Sequence, residues 1–146
     1  MRRIALLCLF TMVFVARVIH SQTSAPPSNF QNIGTIGQLM GQMIYPTSND
    51  IFYIGRKPPQ TDYEWGLVER SALTLAESGN LLMLPGRVRD EEKWIKDSKL
   101  LVDVGAAAYK AAKAKDLDAV LALNDQLNTA CVTCHQDYRP RPRLPN

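Results

Sequence analysis

The chain has 146 residues, 46% of them hydrophobic, with 17 Lys and Arg against 14 Asp and Glu, three Cys and two His. That length suits one domain with a substantial core. The basic excess sits in the opening stretch: without Arg2, Arg3 and Arg17 the basic and acidic residues balance at 14 each, so the net charge carries no nucleic-acid footprint.

Arg2 and Arg3 precede an apolar run from Ile4 to Val15, and Ser21 offers a small residue for cleavage before Gln22. This is the anatomy of a secretory signal over residues 1–21. The run is too short to read as a membrane span. Cys8 lies near its start, where a lipid anchor is not expected, and leaves with the peptide. Residues 22–146 then hold Cys131 and Cys134 as their only cysteines, His135 as their only histidine, and Met40, Met43 and Met83 as their only methionines.

Gln22 to Asn29 is a polar lead-in with two prolines. From about Asn32, the residues Ile33, Ile36, Leu39, Met40, Met43 and Ile44 follow helical spacing until Pro46 interrupts. Ser48 to Ile54 either prolongs this first helix after a kink or forms a separate turn capped by Ser48. Gly55 to Gln60, with Pro58 and Pro59, is a loop. Thr61 and Glu64 form a capping-box signature for a second helix, whose stripe of Trp65, Val68, Ala72, Leu75 and Ala76 runs on past Gly79 and Asn80 to Met83 before Pro85-Gly86. A third helix is expected from Asp90 as N-cap, with Glu91 and Glu92 at the positive end of the dipole and Lys113 and Lys115 at the other. Its Gly105, beside the alanines 106–108, suits a close neighbour, either a helix or a porphyrin. The fourth helix begins near Asp116, with Leu117, Val120, Leu121, Leu127, Cys131, Cys134 and Tyr138 at steps of three and four, and Pro140 ends it. A basic, Pro-rich tail over residues 139–146 reads as solvated and extended. Four helices with short connections predict an all-α, antiparallel four-helix bundle.

Cys131-Val132-Thr133-Cys134-His135 carries the chemistry. On a helix, positions i, i+3 and i+4 share a face, so both sulfurs can meet one edge of a porphyrin while the imidazole reaches its iron. This word is the attachment site of c-type haem, with Cys131 and Cys134 as thioether sulfurs and His135 as axial ligand. A thiol redox pair usually follows a strand in a βαβ context, and the residues upstream have helical periodicity. Zinc would find at most three ligands, and a disulfide is the plainest alternative. No second His is present, so the sixth iron position takes Met, Lys or another weaker donor, or stays open. A His/Met pair suits electron transfer; an open position makes a five-coordinate protein that binds NO or CO. Haem ligation of this type is completed outside the cytoplasm in bacteria, which points to the periplasm.

With Ala130 before this motif and Gln136-Asp137-Tyr138-Arg139 after it, the chain resembles the class II c-type cytochromes, cytochrome c-prime and its low-spin relatives. The resemblance covers the layout of most of residues 22–146 and implies the same bundle, here with one covalent haem c. In low-spin members a Met of the first helix is the sixth ligand, and Gln38-Leu39-Met40 is similar to that segment. Met40 is therefore the implied ligand, with Met43 its competitor and Met83 assigned to packing. In five-coordinate relatives a bulky apolar residue covers the distal side, a part for Leu39 or Ile36. Arg139 lies close enough to stand beside His135 or a propionate, and Arg56, Lys57, Arg87 and Arg89 are further propionate candidates. Trp65, Trp94 and Tyr138 are candidates to pack on the macrocycle. The resemblance implies a periplasmic electron carrier serving redox partner proteins, with a homodimer also in keeping. No catalytic residues are assigned and an enzyme is not expected, because neither a second His nor a Ser/His/Asp set is present.

Overall fold

The computed structural model describes residues 29–139. The expected leader, residues 1–21 with Cys8, and the tail beyond Arg139 lie outside the described residues. Every regular element among the described residues is helical: α1 (Ile36–Leu39), a π-helical segment (Met40–Ile44), α2 (Tyr45–Phe52), a 3-10 turn (Ile54–Arg56), α3 (Asp62–Leu82), α4 (Lys93–Lys113), α5 (Leu117–Leu121) and α6 (Asn124–Tyr138). The first three run on as one rod, and α5 and α6 form another, so the chain builds a bundle of four helical rods. None of its helices is long and apolar enough to cross a membrane among the described residues.

The first rod starts later than expected. Thr35 caps it reciprocally with Gln38: the Gln38 amide donates to Thr35 Oγ1 at 3.2 Å and the Thr35 amide to Gln38 Oε1 at 2.9 Å. Pro46 does not end this rod. A proline inside an α-helix lacks a donor and presses its ring on the carbonyl four residues back. Here the turn before it is widened, with the Tyr45 amide reaching Met40 O five residues back. Just after the proline, Thr47 Oγ1 donates to Met43 O at 2.6 Å. Ser48 is no cap: its hydroxyl donates to Tyr45 O at 2.9 Å from within α2.

Thr61 and Glu64 close the expected capping box on α3, through the Glu64 amide on Thr61 Oγ1 at 3.2 Å and the Thr61 amide on Glu64 Oε2 at 3.1 Å. The stripe Trp65, Val68, Ala72, Leu75 and Ala76 is buried as its spacing requires. At the far end Gly86 takes φ +82°, the left-handed turn that glycine adopts without strain. Asp90 caps the next helix from just outside it, its Oδ1 accepting from the amides of Lys93 at 2.7 Å and Trp94 at 3.1 Å. Residues 91 and 92 form a turn rather than the first helical residues.

The packing of α3 on α4 is antiparallel and very close. A Cβ on Gly105 would lie 2.6 Å from the backbone nitrogen of Ala76. Gly105 therefore admits a helix, not a porphyrin. Lys115 Nζ meets Asp62 at 2.7 Å at one end of this pair, and Trp94 Nε1 donates to Leu82 O at 2.8 Å at the other. The expected fourth helix is broken in two: the Leu123 amide turns back to Val120 O at 3.1 Å, and α6 restarts at Asn124. Its last turn returns to the start of α4, where the Tyr138 hydroxyl donates to Asp90 and the Tyr138 ring meets Trp94 edge-on at 4.9 Å. Ile51, Leu75, Val104, Val120 and Leu127, all at 0% exposure, tie the rods into one core.

Candidate functional site

Helix α6 presents Cys131, Cys134 and His135 on its inward stripe, with Cys134 buried and the other two half-buried. The two cysteines are free thiols. All three side chains line one cavity of about 30 Å³ to which every rod contributes. Met40 and Ile44 come from the π segment, Leu82 from α3, and Asp97, Ser98 and Leu101 from α4, with Ala130 beside the cysteines.

The π turn decides which methionine stands here. In an α-helix, residues three apart lie on one face, so Met40 and Met43 should compete for the same space. The extra residue in the π turn swings Met43 away and aligns Met40 with Ile44 instead. Met43 lines a separate cavity with Leu39, Leu81 and Arg87, and Met83 a third with Val88, Arg89 and Ile95. Leu39 therefore does not line the cavity of His135, nor does Ile36, and the bulky apolar residues beside Met40 are Ile44 and Leu82. Nothing in the sequence marked Leu82, Asp97 or Ser98 as neighbours of the cysteines.

Burial sets the protonation of the three groups on α6. It pushes the Cys131 thiol up, and it pushes Cys134 up to about 11 with the carboxylate of Asp97 adding to the shift. His135 moves down, first through burial and then through the Arg139 guanidinium. Near neutral pH the site therefore presents two protonated thiols and a neutral imidazole whose lone pair is available to a metal. The Arg139 amide also donates to His135 O at 3.3 Å, closing the last turn of α6.

One wall of the cavity is charged. Asp97, 2% exposed, receives Lys93 Nζ at 2.8 Å, and the same ammonium meets Asp137 of α6 at 2.8 Å. The two carboxylates hold Lys93 well above the usual lysine range, Asp137 contributing most. Next to Asp97, the buried Ser98 hydroxyl has no hydrogen-bond partner among the described residues.

The remaining sequence candidates lie elsewhere. Arg56 stacks over Tyr53 at 4.0 Å, and Lys57 lines a surface groove with Asp50 and Glu64. Arg87 is buried against the carbonyls of Leu81 and Gly34, and Arg89 stands beside Met83. Trp65 fills the core, while Trp94 and Tyr138 pack on one another.

The donor set fits a porphyrin iron. Two thiols one helical turn apart, a neutral imidazole on the same stripe and a thioether from a facing rod are the chemistry that c-type attachment and axial ligation use. The Ser98 hydroxyl and the Asp97 carboxylate make the α4 side of this space polar, and Met40, Ile44, Leu82 and Leu101 supply its apolar lining. The space is smaller than the group: about 30 Å³ is room for one or two waters, too little for a tetrapyrrole with the rods packed as they are. Comparison with protein-family models, with curated proteins and with solved structures returns no match.

Proposed function

We propose that this chain is a periplasmic mono-haem c-type cytochrome of the class II kind that carries electrons between redox partner proteins. Cys131 and Cys134 hold haem c through thioether bonds, and His135 and Met40 are its axial ligands. The observation that carries this reading is the shared cavity of Met40, Cys131, Cys134 and His135, with the other two methionines lining different ones. When bound, the haem supplies the one-electron couple. The protein's part is to keep His135 neutral and aimed inward, to offer a thioether that favours the reduced iron, and to exclude water with Ile44, Leu82 and Leu101.

The raised thiols favour this reading over a thiol oxidoreductase. Reactive Cys-x-x-Cys pairs depend on a lowered thiol pKa, and both cysteines here move the other way. Expression in a bacterial periplasm with an active haem-attachment apparatus tests the proposal. The expected product has the mass of the cleaved chain plus one haem and a low-spin spectrum with a Met–iron charge-transfer band. A product with the mass of the bare polypeptide would overturn it, and a high-spin spectrum with rapid CO binding would turn the carrier into a gas-binding protein.

A further inference from the structure

A second cavity, of about 420 Å³, lies between the π segment and the end of α3. Such a volume falls in the range that small-molecule ligands occupy. Its floor includes Met43, Leu81 and Leu84, its rim includes Gln38 and Gln42, and among the described residues Arg87 is the one charged side chain that lines it. Arg87 is 6% exposed. Its Nη1 donates to Leu81 O at 3.0 Å and its Nη2 to Gly34 O at 3.1 Å, while Nε has no partner among the described residues. No carboxylate pairs with it among the described residues.

Two carbonyls satisfy part of this guanidinium's hydrogen-bonding capacity but do not cancel its charge, and a buried charge without a counter-ion is costly. A single cation above an apolar floor matches a ligand with one negative head and a short hydrocarbon tail; a phosphate dianion would carry twice the compensating charge. We propose that this cavity binds a monocarboxylate, the carboxylate neutralising Arg87 and the alkyl part lying on Leu81, Leu84 and Met43. The carboxylate has two possible sources, a free short-chain acid or a propionate of a haem attached to the same chain.

Calorimetric titration of the full chain with hexanoate tests this, with hexan-1-ol and inorganic phosphate as controls, in the protein as purified and in its Cys131→Ala/Cys134→Ala form. Saturable binding of hexanoate, at least tenfold tighter than either control and at least tenfold weaker in Arg87→Met, is the expected result. Binding by both forms assigns the site to a free acid. Binding by the double variant alone assigns it to a propionate already in place. Gln42 is exposed, so Gln42→Glu places a carboxylate on the rim at little risk to folding and should also weaken hexanoate at least tenfold; if Arg87→Met fails to fold, this variant decides. Absence of hexanoate binding from both forms, equal affinity for phosphate, or unchanged affinity in the variant that decides overturns the proposal.

Discussion

Met40, on the π segment near the beginning of the bundle, and His135, on the last helix, line the same cavity although 95 positions separate them in the chain. Met43, only three residues from Met40, lines another with Arg87. In the haem-loaded protein Met40→Ala is therefore expected to abolish the Met–iron charge-transfer band, and Met43→Ala to leave it in place. Optical spectra of the two oxidised variants check this. A band lost only in Met43→Ala would contradict the axial assignment.

Two glycines separate close packing from helix propensity. Gly105→Ala puts a methyl 2.6 Å from the Ala76 backbone nitrogen, a contact with no flexible side chain to yield, so α3 and α4 must move apart at a cost of about 1–3 kcal/mol or more. Gly66→Ala meets nothing within 4 Å on α3 and should stabilise the chain by about 0.5–1 kcal/mol. Urea unfolding midpoints should shift in opposite directions.

Ser98 is buried at 2% exposure, and its hydroxyl has no partner among the described residues. Removing such a group relieves a desolvation penalty, so Ser98→Ala should stabilise the haem-free chain by roughly 1–3 kcal/mol. Denaturant titration of the haem-free protein measures it, and a loss of stability would mean that the hydroxyl has a partner in solution.

The bond from Tyr138 to Asp90 should leave a two-sided pH signature. Its acceptor must be ionised, and the Asp90 carboxyl is held below its ordinary value of 3.8, chiefly by the Tyr138 hydroxyl. That contribution is fully present above 3.8 and is lost as pH falls through the lower folded value. Its donor must be protonated, and Asp90 pushes Tyr138 up from 10.0 to about 12. This second contribution is complete below 10.0 and disappears as pH rises through about 12. Thermal unfolding of Tyr138→Phe against the parent should show a constant deficit across the middle of the pH range that shrinks at both extremes. A deficit that persists at low pH would show that the Tyr138 hydroxyl stabilises the chain without an ionised Asp90 as its acceptor.

Local chemistry by itself determined much of this protein. The Cys131–His135 motif, the Thr61/Glu64 box, the stripe from Trp65 to Ala76 and the breakers at Pro85-Gly86 are all readable within a few residues, because capping and helical spacing act over a turn or two. Asp90 was legible as a cap for the same reason, although the helix begins after it. The Thr35/Gln38 box is equally local, but the apolar spacing that begins at Ile33 hides the later start of the rod. Tertiary structure alone decided what those elements meet. Whether Pro46 ends a rod depends on whether the preceding turn can widen, and that widening sends Met40 and Met43 to different cavities. The restart at Asn124 has no breaker before it, and the closeness of Gly105 to Ala76 belongs to another helix altogether. Spacing along a chain records which side chains share a face, but only the packing of rods fixes which faces meet. The candidate site, drawn from all four, exists at that second level.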